Sequence, residues 1–389
     1  MKDNHPEIRI LPDEVINKIA AGEVVERPAS IVKELIENSL DAGATHIHLE
    51  VLGSGRSLIQ VEDNGIGMTH HDLLQAIERH ATSKLQKVDD LKQISTFGFR
   101  GEALPSIASV SRFQILSGKP GEVSGTELFI EGGKLKSVKD SAPVPGTTIT
   151  VKDLFFNIPA RKKFLRSNNT EFQHIMDKFI QQALAHPEVH FRLTHDRKRV
   201  MDTFSTSDRR QRAEKLLSRS AASDLIEIDP YSQGPIRVFG YTSRPTFSRS
   251  NWSNQFFYVN GRYVKDRLIG RAVMESYRSL LPRGRYPVAI LFVEIDSQEV
   301  DVNVHPAKSE VRFTRPDMVY QTVFDALRLT LEGHRYTVSQ YEQDQGHTLP
   351  AQAYPAGEER KPSGYSPIVS PTGSKPSAFP EMDKGESSG

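Results

Sequence analysis

The stretch from Arg27 to Gly43, RPASIVKELIENSLDAG, constrains the chain most. It reads as one amphipathic helix. Pro28 suits a first turn, where no amide donor is needed, and Gly43 suits a left-handed cap. Ile31, Val32, Leu35, Ile36 and Leu40 share one side at helical spacing. Glu34, Glu37, Asn38 and Asp41 share the other, at i, i+3, i+4 and i+7. This second stripe holds three carboxylates, one amide and no cation. Like charges at such spacing cost helix stability. In isolation the stripe reads as an acidic solvent face. A solvated face usually mixes signs, however, so the stripe asks for a cation, a base role, or both.

Strands surround this helix. Ile47, Leu49 and Val51 alternate as a half-buried strand, and residues 57 to 62 read as its partner, ending in DNGIGM at 63 to 68. A helix from about 72 to 79 leads into HATSK at 80 to 84. Residues 85 to 97 read as a mobile segment, and FGFRGEAL at 97 to 104 opens another helix. Strand patterns follow near 112–117, 125–131 and 147–153, then a helix near 171–185 and a strand near 188–194. This is an α+β layout rather than a doubly wound alternation. A domain boundary is expected in the Arg/Lys-rich region 205–223. Beyond it come strands near 225–228, 235–242 and 255–264, a helix near 267–281, strands near 286–295 and 299–304, and a helix near 317–332. Residues 337–389 hold seven prolines and only six of Ile, Leu, Val, Phe or Met, so a disordered tail is expected there.

Composition narrows the chemistry. With 389 residues the chain can build two or three cored domains. It has no cysteine, which excludes disulfides, thiolate zinc sites and a cysteine nucleophile. The net charge is only +1, so any nucleic-acid surface must be local. The first residues carry no apolar leader pattern, and no run approaches a membrane span. A cytoplasmic, nucleoid-associated protein that does not enter membranes is expected.

There is no Walker loop, no G-x-G-x-x-G after a strand and no H-E-x-x-H. Asp63-Asn64-Gly65-Ile66-Gly67 is by itself a turn. Its functional reading is an aspartate at a strand end that accepts a hydrogen bond from an exocyclic amine, with glycines letting a flat ring lie on bare backbone. Gly98-Phe99-Arg100-Gly101 at a helix start makes an anion site suited to phosphate. Lys84 could add a point charge. Together these features describe a nucleotide site of non-Walker type.

These motifs carry a resemblance. Glu34-x-x-x-Asn38, Asp63-x-Gly65-x-Gly67, the run from Gly98 to Leu104, and Gly146-Thr147-Thr148 follow in order the four signatures of the ATPase superfamily of gyrase, the heat-shock chaperone, histidine kinases and MutL. Longer strings resemble MutL in particular: IAAGEVVERPAS at 19–30, RHATSK at 79–84, GFRGEAL at 98–104, NIPARKKFL at 157–165, VNGR at 259–262 and DVNVHPAK at 301–308. The likeness runs from about residue 8 to 332. Phe97, where the family pattern often has leucine, departs conservatively. The resemblance implies a Bergerat-type α/β sandwich ATPase domain at 1–210 and a smaller α/β second domain at 211–336, with a βαβ crossover. A disordered Pro/Ser/Gly-rich linker at 337–389 would follow. The family's C-terminal dimerisation domain has no counterpart here, so endonuclease activity housed in that domain is not claimed for this chain.

The resemblance also implies roles. Glu34 resembles the general base and Asn38 the Mg²⁺ ligand, an amide oxygen being a suitably hard donor. Asp63 resembles the adenine reader, helped by Thr147, with Gly67 beside it. Thr82, Ser83, Lys84, Gly98, Phe99, Arg100, Gly101, Glu102, Ala103 and Leu104 resemble the phosphate cradle. Lys308 resembles a lysine reaching the γ-phosphate from the second domain, and residues 85–97 a lid over ATP. Glu37 is expected at solvent or just behind the site, and Asp41 as a structural hydrogen-bonder. The basic stretches are Arg161-Lys162-Lys163 and Arg262, Lys265, Arg267 and Arg271. The resemblance makes Arg267, Arg262 and Lys265 the DNA candidates, for double- or single-stranded DNA without sequence readout, and leaves the Arg161 run open to a structural role. The implied function is a weak, Mg²⁺-dependent mismatch-repair ATPase. It would dimerise as a clamp on ATP binding and work with a MutS-like mismatch-recognition protein and a downstream nuclease or helicase. The rivals are a type II topoisomerase ATPase region, a histidine kinase and a non-hydrolysing DNA-binding scaffold.

Overall fold

A computed structural model describes residues 22, 25–79, 81–82, 96–98, 101–301 and 311–334. The first part of the chain runs α1 (Pro28–Asp41), β1 (His46–Leu52), β2 (Leu58–Asp63), α2 (His70–Ala76), α3 (Ala103–Ser109), β3 (Arg112–Gly118), β4 (Gly125–Glu131), β5 (Lys134–Ser141) and β6 (Gly146–Lys152). It continues through α4 (Pro159–Phe164), α5 (Asn168–Ala185), β7 (His190–His195), β8 (Lys198–Thr203), α6 (Arg209–Leu216) and α7 (Arg219–Ser223). The second part runs β9 (Leu225–Gln233), β10 (Ile236–Ser243), β11 (Gln255–Val259), β12 (Arg262–Val264), α8 (Arg267–Ser276), β13 (Ala289–Ile295), β14 (Val300–Asp301), β15 (Arg312–Phe313) and α9 (Pro316–Gly333).

Eight strands form one mixed sheet in the order β5-β4-β3-β6-β2-β1-β7-β8. Its only parallel pair among these neighbours is β1 with β7; the rest are antiparallel. The helix α1 packs its apolar side on this sheet, and Ile31, Val32, Leu35 and Ile36 are buried. Each contributes about 1.5–3 kcal/mol by leaving water. The expected ends of α1 are observed: Pro28 lies in the first turn, and Gly43 follows the helix with φ of 69°. A five-stranded sheet has the order β12-β11-β13-β10-β9. There β11 and β13 are parallel and α8 lies between them in sequence, which is the expected βαβ crossover. The α+β class is therefore as expected.

Three details differ from the sequence reading. The edge strands β5 and β8 were absent from it, because both are largely exposed and polar and lack an apolar alternation. The single strand expected at 255–264 is a hairpin, turning at Asn260 and Gly261, both with positive φ. Within residues 205–223 two helices form, α6 and α7, and they bury their own Ala213, Ala221 and Ala222. The described residues belong to one compact unit. One core joins α1 and the large sheet to Tyr241, Tyr258, Ile290 and Phe292 of the smaller sheet. The helix α5 forms that seam, and Tyr258 donates its hydroxyl to the Gln181 carbonyl at 2.8 Å.

Candidate nucleotide site

The strand β2 places Ile59, Val61 and Asp63 on its buried face, so a carboxylate occupies a position where the alternation calls for an apolar residue. Asp63 is 9% exposed. It accepts hydrogen bonds from the Ser39 hydroxyl of α1 at 2.7 Å and from the Gly65 amide at 2.9 Å. Burial raises its pKa, against the lowering by Ser39, Gly65 and the Thr147 amide. Among the described residues this carboxyl is held by neutral donors, without a cation.

Three strand ends meet here. Asp63 pairs with Thr147 across β2 and β6, and Ser117 pairs with Thr147 across β3 and β6. The Ser117 and Thr147 hydroxyls are 2.8 Å apart, and Ser117 Oγ is 3.0 Å from the Met68 amide that donates to it. Gly67 has φ of 64°, and a Cβ there would strike the Gly118 carbonyl, so glycine is required for this close approach. Asp63, Gly67 and Thr147 are thus gathered in one place.

On α1, Glu34 and Asn38 are half-buried and one turn apart on one face. The expectation that their stripe lacks a cation is corrected by Lys33. Its ammonium lies 3.0 Å from Glu34 Oε1 and 2.9 Å from Glu37 Oε2. Burial alone would lower the Lys33 pKa, but Glu37 and Glu34 reverse this and raise it. Glu37 is buried rather than at solvent, and its other oxygen accepts from Gln182 at 2.9 Å. Asp41 accepts from the amides of Phe97 at 2.9 Å and Gly98 at 3.1 Å, the structural role expected of it.

Gly101 has φ of 61°, and a Cβ there would meet the Ala81 carbonyl. The 81–82 segment with Thr82 is therefore packed on the turn that starts α3, where Gly101, Glu102, Ala103 and Leu104 are half-buried. Ser83, Lys84, Phe99, Arg100, Lys308, the segment 85–95 and the tail 337–389 lie outside the described residues. Among the described residues no cluster of three or more His, Cys, Asp or Glu is placed to hold a metal. Asn38 offers a single amide oxygen, which fits a Mg²⁺ that comes with phosphates and keeps its waters rather than one caged by protein.

The basic residues separate. Arg267 and Lys265 are exposed at the start of α8. Arg262, expected on the same surface, is 9% exposed, donates to the Thr96 carbonyl and lies over the Phe97 ring. It therefore faces the candidate site rather than solvent. Arg161 donates to the Val25 carbonyl at 3.1 Å, while Lys162 and Lys163 are exposed. Lys33, Gln182 and Thr96 were missed by the sequence reading. The i, i+4 spacing of Lys33 and Glu37 could have flagged the first; nothing local marks the other two.

Fold and site together define a nucleotide-binding domain of the gyrase and heat-shock chaperone type. Residues 26–155 match the family described as "Histidine kinase-, DNA gyrase B-, and HSP90-like ATPase", and residues 213–332 match "DNA mismatch repair protein, C-terminal domain". The chain is 46% identical over 333 residues to the DNA mismatch repair protein MutL of Geotalea daltonii, covering 86% of this chain and 55% of that protein. It is 50% identical over 326 residues to MutL of Trichlorobacter lovleyi, covering 84% and 55%. It belongs to the MutL family of DNA mismatch repair proteins and spans about half the length of the curated relatives it matches. Among solved structures, the Aquifex aeolicus MutL ATPase domain complexed with ADP is 26% identical with a TM-score of 0.55, over 77% of this chain and 98% of that one. The N-terminal domain of a DNA repair protein shares the fold, with a TM-score of 0.72 at 24% identity over 82% and 98%.

Proposed function

We propose that this chain is the ATP-hydrolysing part of a DNA mismatch repair protein. The observation that carries the reading is the buried Asp63 carboxyl, held by Ser39 of the same helix that presents Glu34 and Asn38. One end of the helix thus serves a base reader and its middle serves phosphates. The ADP complex of the Aquifex aeolicus relative supports nucleotide binding here. In this reading Asp63 accepts the exocyclic amine of adenine beside Thr147 and Gly67. Thr82 and the turn from Gly98 through Leu104 hold the phosphates, together with Ser83, Lys84, Phe99, Arg100 and Lys308. Asn38 holds Mg²⁺, which when bound supplies charge neutralisation on the phosphates. Glu34 takes a proton from the attacking water, so its carboxylate must be aimed, and the Lys33 ammonium 3.0 Å from Oε1 holds it. Glu34→Ala is expected to keep ATP binding and lose turnover by about a hundredfold or more. Turnover equal to wild type would overturn the base assignment.

ATP binding would also pair two copies into a clamp on DNA, with Arg267 and Lys265 contacting phosphates without reading bases. A MutS-like protein and a downstream nuclease or helicase are the partners the family supports. A size measurement with a non-hydrolysable ATP analogue tests the clamp: a dimer is expected, and a nucleotide-bound monomer would sink it.

A further inference from the structure

The turn at Thr96, Phe97 and Gly98 is held from two sides by opposite charges. Asp41, near the end of α1, accepts both amides, Phe97 at 2.9 Å and Gly98 at 3.1 Å. Arg262, at the start of β12 in the smaller sheet, donates from its guanidinium to the Thr96 carbonyl. The guanidinium also lies over the Phe97 ring, 5.6 Å from its centre. The edge of the same ring meets His186, at the end of α5, with centroids 5.5 Å apart. A carboxylate from one sheet's helix therefore fixes the donors of the turn, and a cation from the other sheet fixes its acceptor.

Arg262 reaches further than this turn. It lines a small cavity with Lys33, Glu37, Phe97, Lys178 and Tyr263 on the flank of α1. Burial lowers its pKa, and the charges of Glu37 and Asp41 partly restore it. Glu37 is bound in turn to Lys33, and Lys33 to Glu34. Each contact is short and charge-assisted, so displacement of Arg262 changes the field along the helix that carries Glu34. A buried arginine that served packing alone would need only its volume and its hydrogen-bond partners. This one faces two carboxylates of the helix that carries Glu34 and the turn leading to Gly101.

We propose that Arg262 is a positioning residue for ATP turnover: its grip on Thr96 and Phe97, opposite Asp41, ties the smaller sheet to the phosphate end of the nucleotide site. The proposal rests on the ATPase reading above. It adds that the smaller sheet acts on the site through Arg262. It also gives Phe97 a function, since a leucine there has no π-face for a guanidinium.

The test is steady-state ATP hydrolysis by the full chain and by Arg262→Met, Arg262→Lys, Phe97→Leu and the Arg262→Met/Phe97→Leu double variant, with folding followed by circular dichroism. Met fills the arginine's volume without charge or donor, whereas Lys keeps both. Arg262→Met is expected to lower kcat about tenfold, with KM within about threefold of wild type. Arg262→Lys should recover most of the loss. Phe97→Leu should lower kcat about threefold, and its effect should shrink when Arg262 is already Met, because the two share one contact. Wild-type kcat in Arg262→Met, or equal losses with Met and Lys, would overturn the proposal. If Arg262→Met does not fold, Phe97→Leu decides, and an unchanged kcat there overturns it. A wild-type chain that neither binds nor hydrolyses ATP would instead overturn the ATPase reading itself.

Discussion

Arg212 and Arg262 are both buried, but their surroundings differ in kind. Arg212, 1% exposed in α6, donates to the Pro187 and Val189 carbonyls at 2.7 Å each, the Phe204 carbonyl at 2.9 Å and the Thr203 hydroxyl at 2.9 Å. Among the described residues, Arg262 meets the Thr96 carbonyl, the Phe97 ring and the field of two carboxylates. The Arg212 partners lie in the short link from α5 to β7 and at the end of β8, where neighbouring elements fix them, so they hold the cation in one arrangement. Burial still lowers its pKa, to about 10. Around α1 the neighbours are themselves charged: Glu37 and Asp41 act on Arg262, and Lys33 joins Glu37 to Glu34. A cation held by carbonyls stabilises a fold. One held among exchangeable charges can report a change in any of them.

The largest expected effect breaks the first region. Arg212→Ala removes four hydrogen bonds and leaves buried carbonyls without partners. It is expected to cost about 3–5 kcal/mol in chemical unfolding, with nucleotide affinity unchanged for the molecules that remain folded. A loss under about 1 kcal/mol would mean that water replaces the guanidinium and that the two regions are alike. A smaller effect on stability and a larger one on binding are expected at the other region. Asp63→Asn keeps the shape but loses the charge and one acceptor. Nucleotide affinity should fall about ten- to a hundredfold in a calorimetric titration. Stability should hold or rise at neutral pH, by the following sign. Burial lifts the folded carboxyl's pKa above its unfolded value, so the folded state binds the proton better. This group's contribution is therefore greatest in acid and is lost as pH rises through the folded pKa. The asparagine variant should lack that decline. Unchanged affinity would remove Asp63 from the site.

The same contrast explains what could be read in the chain. The helix α1, the Asp63 turn and the Gly98–Leu104 run are local patterns with local causes, and the sequence shows them directly. The stripe's missing cation was misjudged because Lys33 sits one position off the Glu34 face, and only its flexible stem brings the ammonium between two carboxylates. The destination of Arg262 was hidden for a different reason. A basic residue in a hairpin after Asn260-Gly261 looks solvated, and its partner at Thr96 is 166 residues away in the chain. Arg212 falls in the Arg/Lys-rich region expected to hold a domain boundary, since nothing in a local window announces four acceptors gathered from the α5–β7 link and the end of β8. Edge strands β5 and β8 carry no core face over most of their length and so leave no period to find.

The smallest effect sharpens the comparison within the α1 region. Lys178 of α5 is half-buried, with its ammonium 5.6 Å from the centre of the Tyr263 ring and 3.2 Å from Gln181 Oε1. Burial, then the like charges of Lys33 and Lys265, lower its pKa to about 8. The folded lysine therefore gives up its proton near pH 8, while the unfolded one keeps it to 10.5. Between these values the unfolded state binds more protons, so this residue's penalty on folding fades as pH rises. Tyr263, pushed up to about 12 by burial, stays neutral across the window. Lys178→Met should thus be more stable than wild type at pH 7, by about 1–2 kcal/mol after allowing for solvent screening. That advantage should close between pH 8 and 10.5, as measured by paired unfolding curves. A constant gap across the window would mean that Lys178 is neutralised by a neighbour at all pH values. The cavity on the flank of α1 would then hold its charges as rigidly as Arg212 is held.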